Sequence, residues 1–112
     1  MEFFIINFEL MVIIGKAQLN EFGKAHADAG ATLDEWYAAV KEVDWSNLAE
    51  MKLRFNSVDY VGNDRYVFNI RGNNYRLVAM IFFNKRTVFV RFIGTHAEYD
   101  KIDCSTILIA TP

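Results

Sequence analysis

The chain is poor in residues that bridge, break or anchor structure. It holds one cysteine, Cys104, and one proline, the last of its 112 residues. A lone cysteine excludes an internal disulfide, and no Cys/His grouping falls at zinc-ligand spacing, so neither a metal nor another cofactor is expected. A reducing cytoplasm is the simplest setting. Internal proline, low-complexity tracts and repeats are all absent, which leaves nothing to divide residues 1 to 112; one domain with one site is expected. No apolar run reaches the roughly 20 residues that span a membrane. The opening Met1 to Ile14 comes nearest, but no Lys or Arg precedes it, and Asn7 and Glu9 interrupt it. It reads as a β-branched, aromatic strand rather than a signal or anchor. Met11 could be an internal start, which would make Met1 to Leu10 an upstream extension.

Positive charge is also short overall, twelve Lys/Arg against fourteen Asp/Glu, and a net −2 speaks against nucleic acid as a partner. The halves differ, however. Residues 1 to 60 carry five cations against ten acids, a net −5, and residues 61 to 112 carry seven against four, a net +3. Any anion-binding face therefore belongs to the second half.

Apolar residues are plentiful, 53% of the chain with 15% aromatic, enough for a core. Lys16 to Ala29 reads as a first helix through Leu19, Phe22 and Ala25, closed by Gly30. Thr32 and Glu35 make a capping box for a second helix striped by Leu33, Trp36, Tyr37, Val40 and Val43. Ser46 or Asn47 caps a third, with Leu48, Met51 and Phe55 on one side. Trp36, Tyr37 and Trp45 are expected in packing roles, and His26 on a solvated surface. From Val58 the pattern changes to β-formers punctuated at Gly62-Asn63-Asp64, Gly72-Asn73 and Asn84-Lys85, an antiparallel meander.

Two-residue loops at the last two turns would set Ile70 opposite Tyr75, Asn69 opposite Arg76 and Val78 opposite Arg91. One sheet face then collects Tyr66, Phe68, Ile70, Tyr75, Leu77, Ala79, Ile81, Val88, Val90 and Phe92, suited to covering by helices. The other collects Arg65, Asn69, Arg71, Asn74, Arg76 and Arg91 among Val67, Val78, Met80, Phe89 and Ile93. Arg65 and Arg86 are expected to be exposed strand residues that keep an edge soluble.

After Arg91 come Gly94-Thr95-His96-Ala97-Glu98-Tyr99-Asp100-Lys101. Thr95 and Glu98 form another capping box, placing His96 in the first turn of a short helix and Tyr99 one turn on. A helix start beside arginines suits phosphate. Metal-free RNA cleavage needs a base for the 2′-hydroxyl proton, an acid for the leaving 5′-oxygen and cations for the phosphorane, and histidine, tyrosine and arginine can fill those roles. Arg76 and Arg91 are assigned to the phosphate, His96 and Tyr99 to proton transfer or base stacking. Asp100 and Asp103 are placed to support the last helix or to orient His96 or Lys101, and Cys104 is expected to be inert.

Gly72-Asn73-Asn74-Tyr75-Arg76-Leu77-Val78, followed by Arg91-Phe92-Ile93-Gly94-Thr95-His96-Ala97-Glu98-Tyr99-Asp100-Lys101-Ile102-Asp103, resembles the HigB family of bacterial toxins within the RelE-like mRNA interferases. The resemblance runs from about Met11 to Asp103. It implies an α+β RelE-like fold, with N-terminal helices packed on an antiparallel sheet and a short C-terminal helix. It implies endonucleolytic cleavage of mRNA, often on the ribosome, by a toxin held inactive by a HigA-like antitoxin; that antitoxin carries a helix-turn-helix domain and brings the complex to operator DNA. Carried over residue by residue, the catalytic set is Arg76, Arg91, His96 and Tyr99, with Lys101 also transferred; Asn69, Arg71 and Asn74 are expected as RNA contacts from their place on the arginine face. RelE-like toxins are typically basic, and this chain departs from that. The alternative is a non-catalytic module that binds RNA or an acidic protein segment on the same arginine face.

Overall fold

The computed structural model describes residues 11–42, 46–55 and 57–106. Met1 to Leu10, Val43 at the end of the second apolar stripe, Asp44-Trp45 and the tail from residue 107 lie outside them. The elements run β1 (Val12–Ile14), α1 (Lys16–Ala25), α2 (Ala27–Glu42), α3 (Leu48–Arg54), β2 (Asp59–Tyr60), β3 (Arg65–Ile70), β4 (Tyr75–Phe82), β5 (Thr87–Thr95) and α4 (His96–Tyr99). This is the expected α+β layering, helices on one face of a sheet and a short helix at the C-terminal end.

The sheet order is β1-β5-β4-β3-β2. β2 to β5 form the expected antiparallel meander, but β1 joins β5 in parallel, Val12 opposite Thr87 and Ile14 opposite Phe89, so the sheet is mixed. A parallel partner is reached only through a crossover, which α1, α2 and α3 supply before the chain returns through the meander.

The first two helices divide elsewhere than their sequence suggests. α1 ends at Ala25 with His26 as its C-cap, and α2 begins at Ala27, so Gly30 and the Thr32/Glu35 pair lie inside α2 rather than between helices. A Cβ on Gly23 would come 3.4 Å from the Gly30 Cα. These glycines allow the two helices to approach closely; they do not terminate them. α3 follows its signals: Asn47 Oδ1 accepts from the Glu50 N–H at 3.0 Å, and Met51 is fully buried.

The core lies between helices and sheet. Leu33, Trp36 and Val40 of α2 meet Phe68, Ile70, Leu77, Ala79, Ile81 and Val88, and Phe68 takes Trp36 and Phe55 edge-on at 5.4 and 5.3 Å. A smaller cluster forms on the opposite face, where Val67, Val78 and Phe92 lie under Tyr99, Ile102 and Cys104.

A β-bulge separates the expected register from the observed one. Ile70 faces Tyr75 and Asn69 faces Arg76 as the turn requires, but the β4–β5 ladder shifts between Val78 and Ala79, and Val78 faces Phe92 instead of Arg91. One extra residue on β5 reverses the side-chain alternation beyond it. Phe92 thus leaves the helix-facing core for the opposite face, and Ile93 takes a core position.

Candidate active site on the sheet face opposite the helices

The end of β5 is fixed by backbone chemistry. Thr95 Oγ1 accepts from the Glu98 N–H at 3.1 Å and Glu98 Oε1 accepts from the Thr95 N–H at 2.8 Å, the expected capping box. The His96 N–H donates to the Asn74 carbonyl at 3.2 Å, tying α4 to the β3–β4 turn. With the N–H groups of His96 and Glu98 both engaged, this one-turn helix offers little of the open anion cradle that its start suggested.

Its side chains are placed differently. Tyr99 lies half-buried on Val67, Val78 and Phe92, with the Arg76 guanidinium 6.0 Å from its ring centre and the Cys104 sulfur 3.4 Å from its hydroxyl. Burial, the Cys104 contact and the nearby Asp59 carboxylate, against the opposing Arg76 charge, push the Tyr99 phenol up to about 12. At neutral pH it is a hydrogen-bond donor and not a base. His96 is exposed, and its Nδ1 lies 3.3 Å from Asp100 Oδ2. Arg76 spends Nη1 on the Asn73 and Tyr75 carbonyls, both at 3.2 Å, which fixes its stem beside Tyr99.

Arg91 stands apart. Its Nη2 donates to Met80 Sδ at 3.7 Å, its guanidinium carbon lies 4.9 Å from the Phe89 ring centre, and its buried Nε finds no hydrogen-bond partner among the described residues. Desolvation, then the charge of Arg65, lower its pKa. Met80 is four residues beyond Arg76 on the same strand face, about 13 Å at strand rise, with Val78 and Phe92 between. Four residues expected to converge are thus arranged as Arg76, Tyr99 and His96 at one end, and Arg91 at the bulge itself.

Among the expected RNA contacts, Asn69 is half-buried opposite Arg76, while Asn74 and Lys101 are exposed near α4. Arg71 is elsewhere. Its φ of 53° takes it out of strand alternation, and its Nη1 reaches Asp28 Oδ2 at 3.0 Å on the helix side. Two further expectations fail. Arg65 is buried at 4% exposure, donating from Nη1 to the Asn63 carbonyl at 2.9 Å around the Gly62 turn. His26 is not merely solvated; it stacks on Phe22 at 4.1 Å and meets Tyr75 edge-on. The contact of His26 with Tyr75 left no local sign, because Tyr75 is distant in sequence. The i, i+4 spacing of His96 and Asp100 was the visible signal for that pair.

The fold, helices on a mixed sheet with an Arg-Tyr-His group where the last strand meets a capped turn, coincides with a family model described as HigB_toxin, RelE-like toxic component of a toxin-antitoxin system, over residues 29–102. The class is therefore a RelE-like toxin. Over 94 residues the chain is 37% identical to the mRNA interferase HigB of Escherichia coli O6:H1 (strain CFT073), covering 82% of this chain and 91% of that protein. It is 51% identical over 35 residues, 31% of this chain and 34% of the relative, to the mRNA interferase toxin HigB of Escherichia coli K12, and equally to the mRNA interferase HigB of Shigella flexneri. The chain belongs to the HigB toxin family, and a toxin of this kind has an antitoxin as its partner. Among the described residues no helix is long and apolar enough to cross a membrane.

Proposed function

We propose that this toxin is an mRNA endoribonuclease that needs no metal and cuts translated messages on the ribosome in the cytoplasm. The observation that carries the reading is the grouping of Arg76, Tyr99 and the His96–Asp100 pair at the end of β5, in a chain 37% identical over most of its length to an mRNA interferase. In this mechanism His96 Nε2 takes the proton of the 2′-hydroxyl as that oxygen attacks phosphorus. The bond to the 5′-oxygen breaks, and the Tyr99 hydroxyl, released from Cys104, donates toward the leaving oxygen. Arg76 holds the charge of the phosphorane. Arg91 serves the same strand from the bulge, and Asn69, Asn74 and Lys101 line its path. Arg71, committed to Asp28, steadies the turn.

The controlling partner is a HigA-like antitoxin with a helix-turn-helix domain, through which alone the complex meets operator DNA. Residues 1 to 112 act as one domain. The test is mapping of new mRNA 5′ ends after brief induction in bacteria lacking the antitoxin, with His96→Ala in parallel. Discrete cuts confined to translated regions and absent from the variant are expected, and the purified toxin should cut with ribosomes in the presence of excess chelator once the ribosomes' own magnesium is accounted for. No new ends from a folded wild-type chain would leave a non-catalytic binding module as the better account.

A further inference from the structure

The sheet face opposite the helices has two halves. α4 and the segment after it cover Val67, Val78 and Phe92. Beyond the bulge, among the described residues, nothing comparable lies over the row formed by Met80, Phe89 and Ile14, which are cross-strand neighbours. Ile14 is 49% exposed, and Phe82 and Phe89 are half-buried, meeting edge-on at 6.0 Å. Cations bracket these two rings. Lys85 Nζ lies 5.7 Å from the Phe82 centre and the Arg91 guanidinium 4.9 Å from the Phe89 centre. A guanidinium has five N–H donors, yet Arg91 has a thioether sulfur on one, an Nε without a partner, and no carboxylate paired with it among the described residues.

Partly exposed rings flanked by cations with unused donors are complementary to a single nucleic-acid strand, whose bases stack on aromatic faces while its phosphates take the charge. We propose that this row is a nucleotide subsite: Phe89 and Phe82 take a base flanking the cleaved bond, and Arg91 takes its phosphate. The proposal rests on the nuclease reading for its continuity with Arg76 and Tyr99, which lie on the same face across Val78. It adds a ring platform that the arginine pattern alone does not contain. It also gives the bulge a role, since Arg91 is itself the extra residue and lies over Phe89 while Phe92 turns under Tyr99.

The experiment measures fluorescence anisotropy of a labelled hexauridylate methylated at every 2′-oxygen, so that it cannot be cut, against wild type, Phe89→Leu, Phe89→Tyr, Arg91→Ala and His96→Ala, each first shown to unfold cooperatively. Phe89→Leu is expected to weaken binding about ten-fold with the salt dependence unchanged, and Phe89→Tyr to restore it. Arg91→Ala weakens binding and lowers the slope of log affinity on log salt by about 0.7. Wild-type affinity in folded Phe89→Leu, or equal losses in Phe89→Leu and Phe89→Tyr, overturns the subsite. So does a loss of antitoxin binding in Phe89→Leu at unchanged RNA affinity, which assigns the row to the partner protein. Ring-dependent binding by a wild type that cuts no mRNA keeps the subsite and removes the nuclease; cutting that persists with no ring-dependent binding does the reverse.

Discussion

Asp28 shows how much one side chain can organise. It accepts from the Tyr75 hydroxyl at 2.5 Å and from Arg71 Nη1 at 3.0 Å, joining the start of α2 to the β3–β4 turn whose Asn74 carbonyl holds His96. The Tyr75 hydrogen bond first, then the Arg71 charge, hold its carboxyl below the ordinary 3.8, with desolvation opposing. A depressed carboxylate pKa stabilises the fold above the unfolded value, and that contribution is lost as pH falls through the folded one. Denaturant unfolding of wild type and Asp28→Asn should therefore show a stability difference at neutral pH that shrinks as pH falls below about 4. Tyr99 gives a different expectation. With its phenol at about 12, it remains protonated through the neutral range, so Tyr99→Phe should slow cleavage without moving the pH limbs of the rate profile. His96→Ala should cost roughly 100-fold or more, as single-turnover rates would reveal.

Among the elements, the last strand and its helix depend on glycine and capping together. A Cβ on Gly94 would meet the Phe92 ring at 2.5 Å and Glu98 Oε1 at 2.7 Å, so Gly94→Ala displaces both the ring under Tyr99 and half the capping box. A loss of about 1–3 kcal/mol by equilibrium unfolding is expected, with cleavage impaired beyond the stability change. Thr95→Ala, which removes only the cap, should cost about 1 kcal/mol. In the main core, Phe68→Ala should cost about 3–5 kcal/mol in a fold whose total is on the order of 5–15. Capping boxes at Thr95 and the cap at Asn47 were legible because their partners are three residues away. The Thr32/Glu35 pair was misleading for the same reason, since a local motif cannot report that Gly23 and Gly30 let two helices pack closely and continue. Faces of β5 were legible as far as Val90 and failed at the bulge, which no turn residue announces.

Over the whole molecule, charge is divided as the sequence divides it, acids mainly on the helical half and cations on the strands and their turns. The net −2 means that RNA affinity depends on local arginines and not on a general field. Arg76→Ala should then reduce the salt slope of RNA binding by about 0.7, whereas neutralising Lys24 on α1 should leave it unchanged; titrations at several salt concentrations measure both. The sequence by itself determined the layering, the core-facing positions up to the bulge, the capped last turn and the family, because periodicity, capping and motif spacing are local and survive in one dimension. Tertiary structure alone decided the parallel pairing of β1, the commitment of Arg71 to Asp28, the burial of Arg65 and the separation of Arg91 from Arg76. Each depends on contacts between distant segments, or on a single inserted residue whose effect is felt only when two strands are laid side by side.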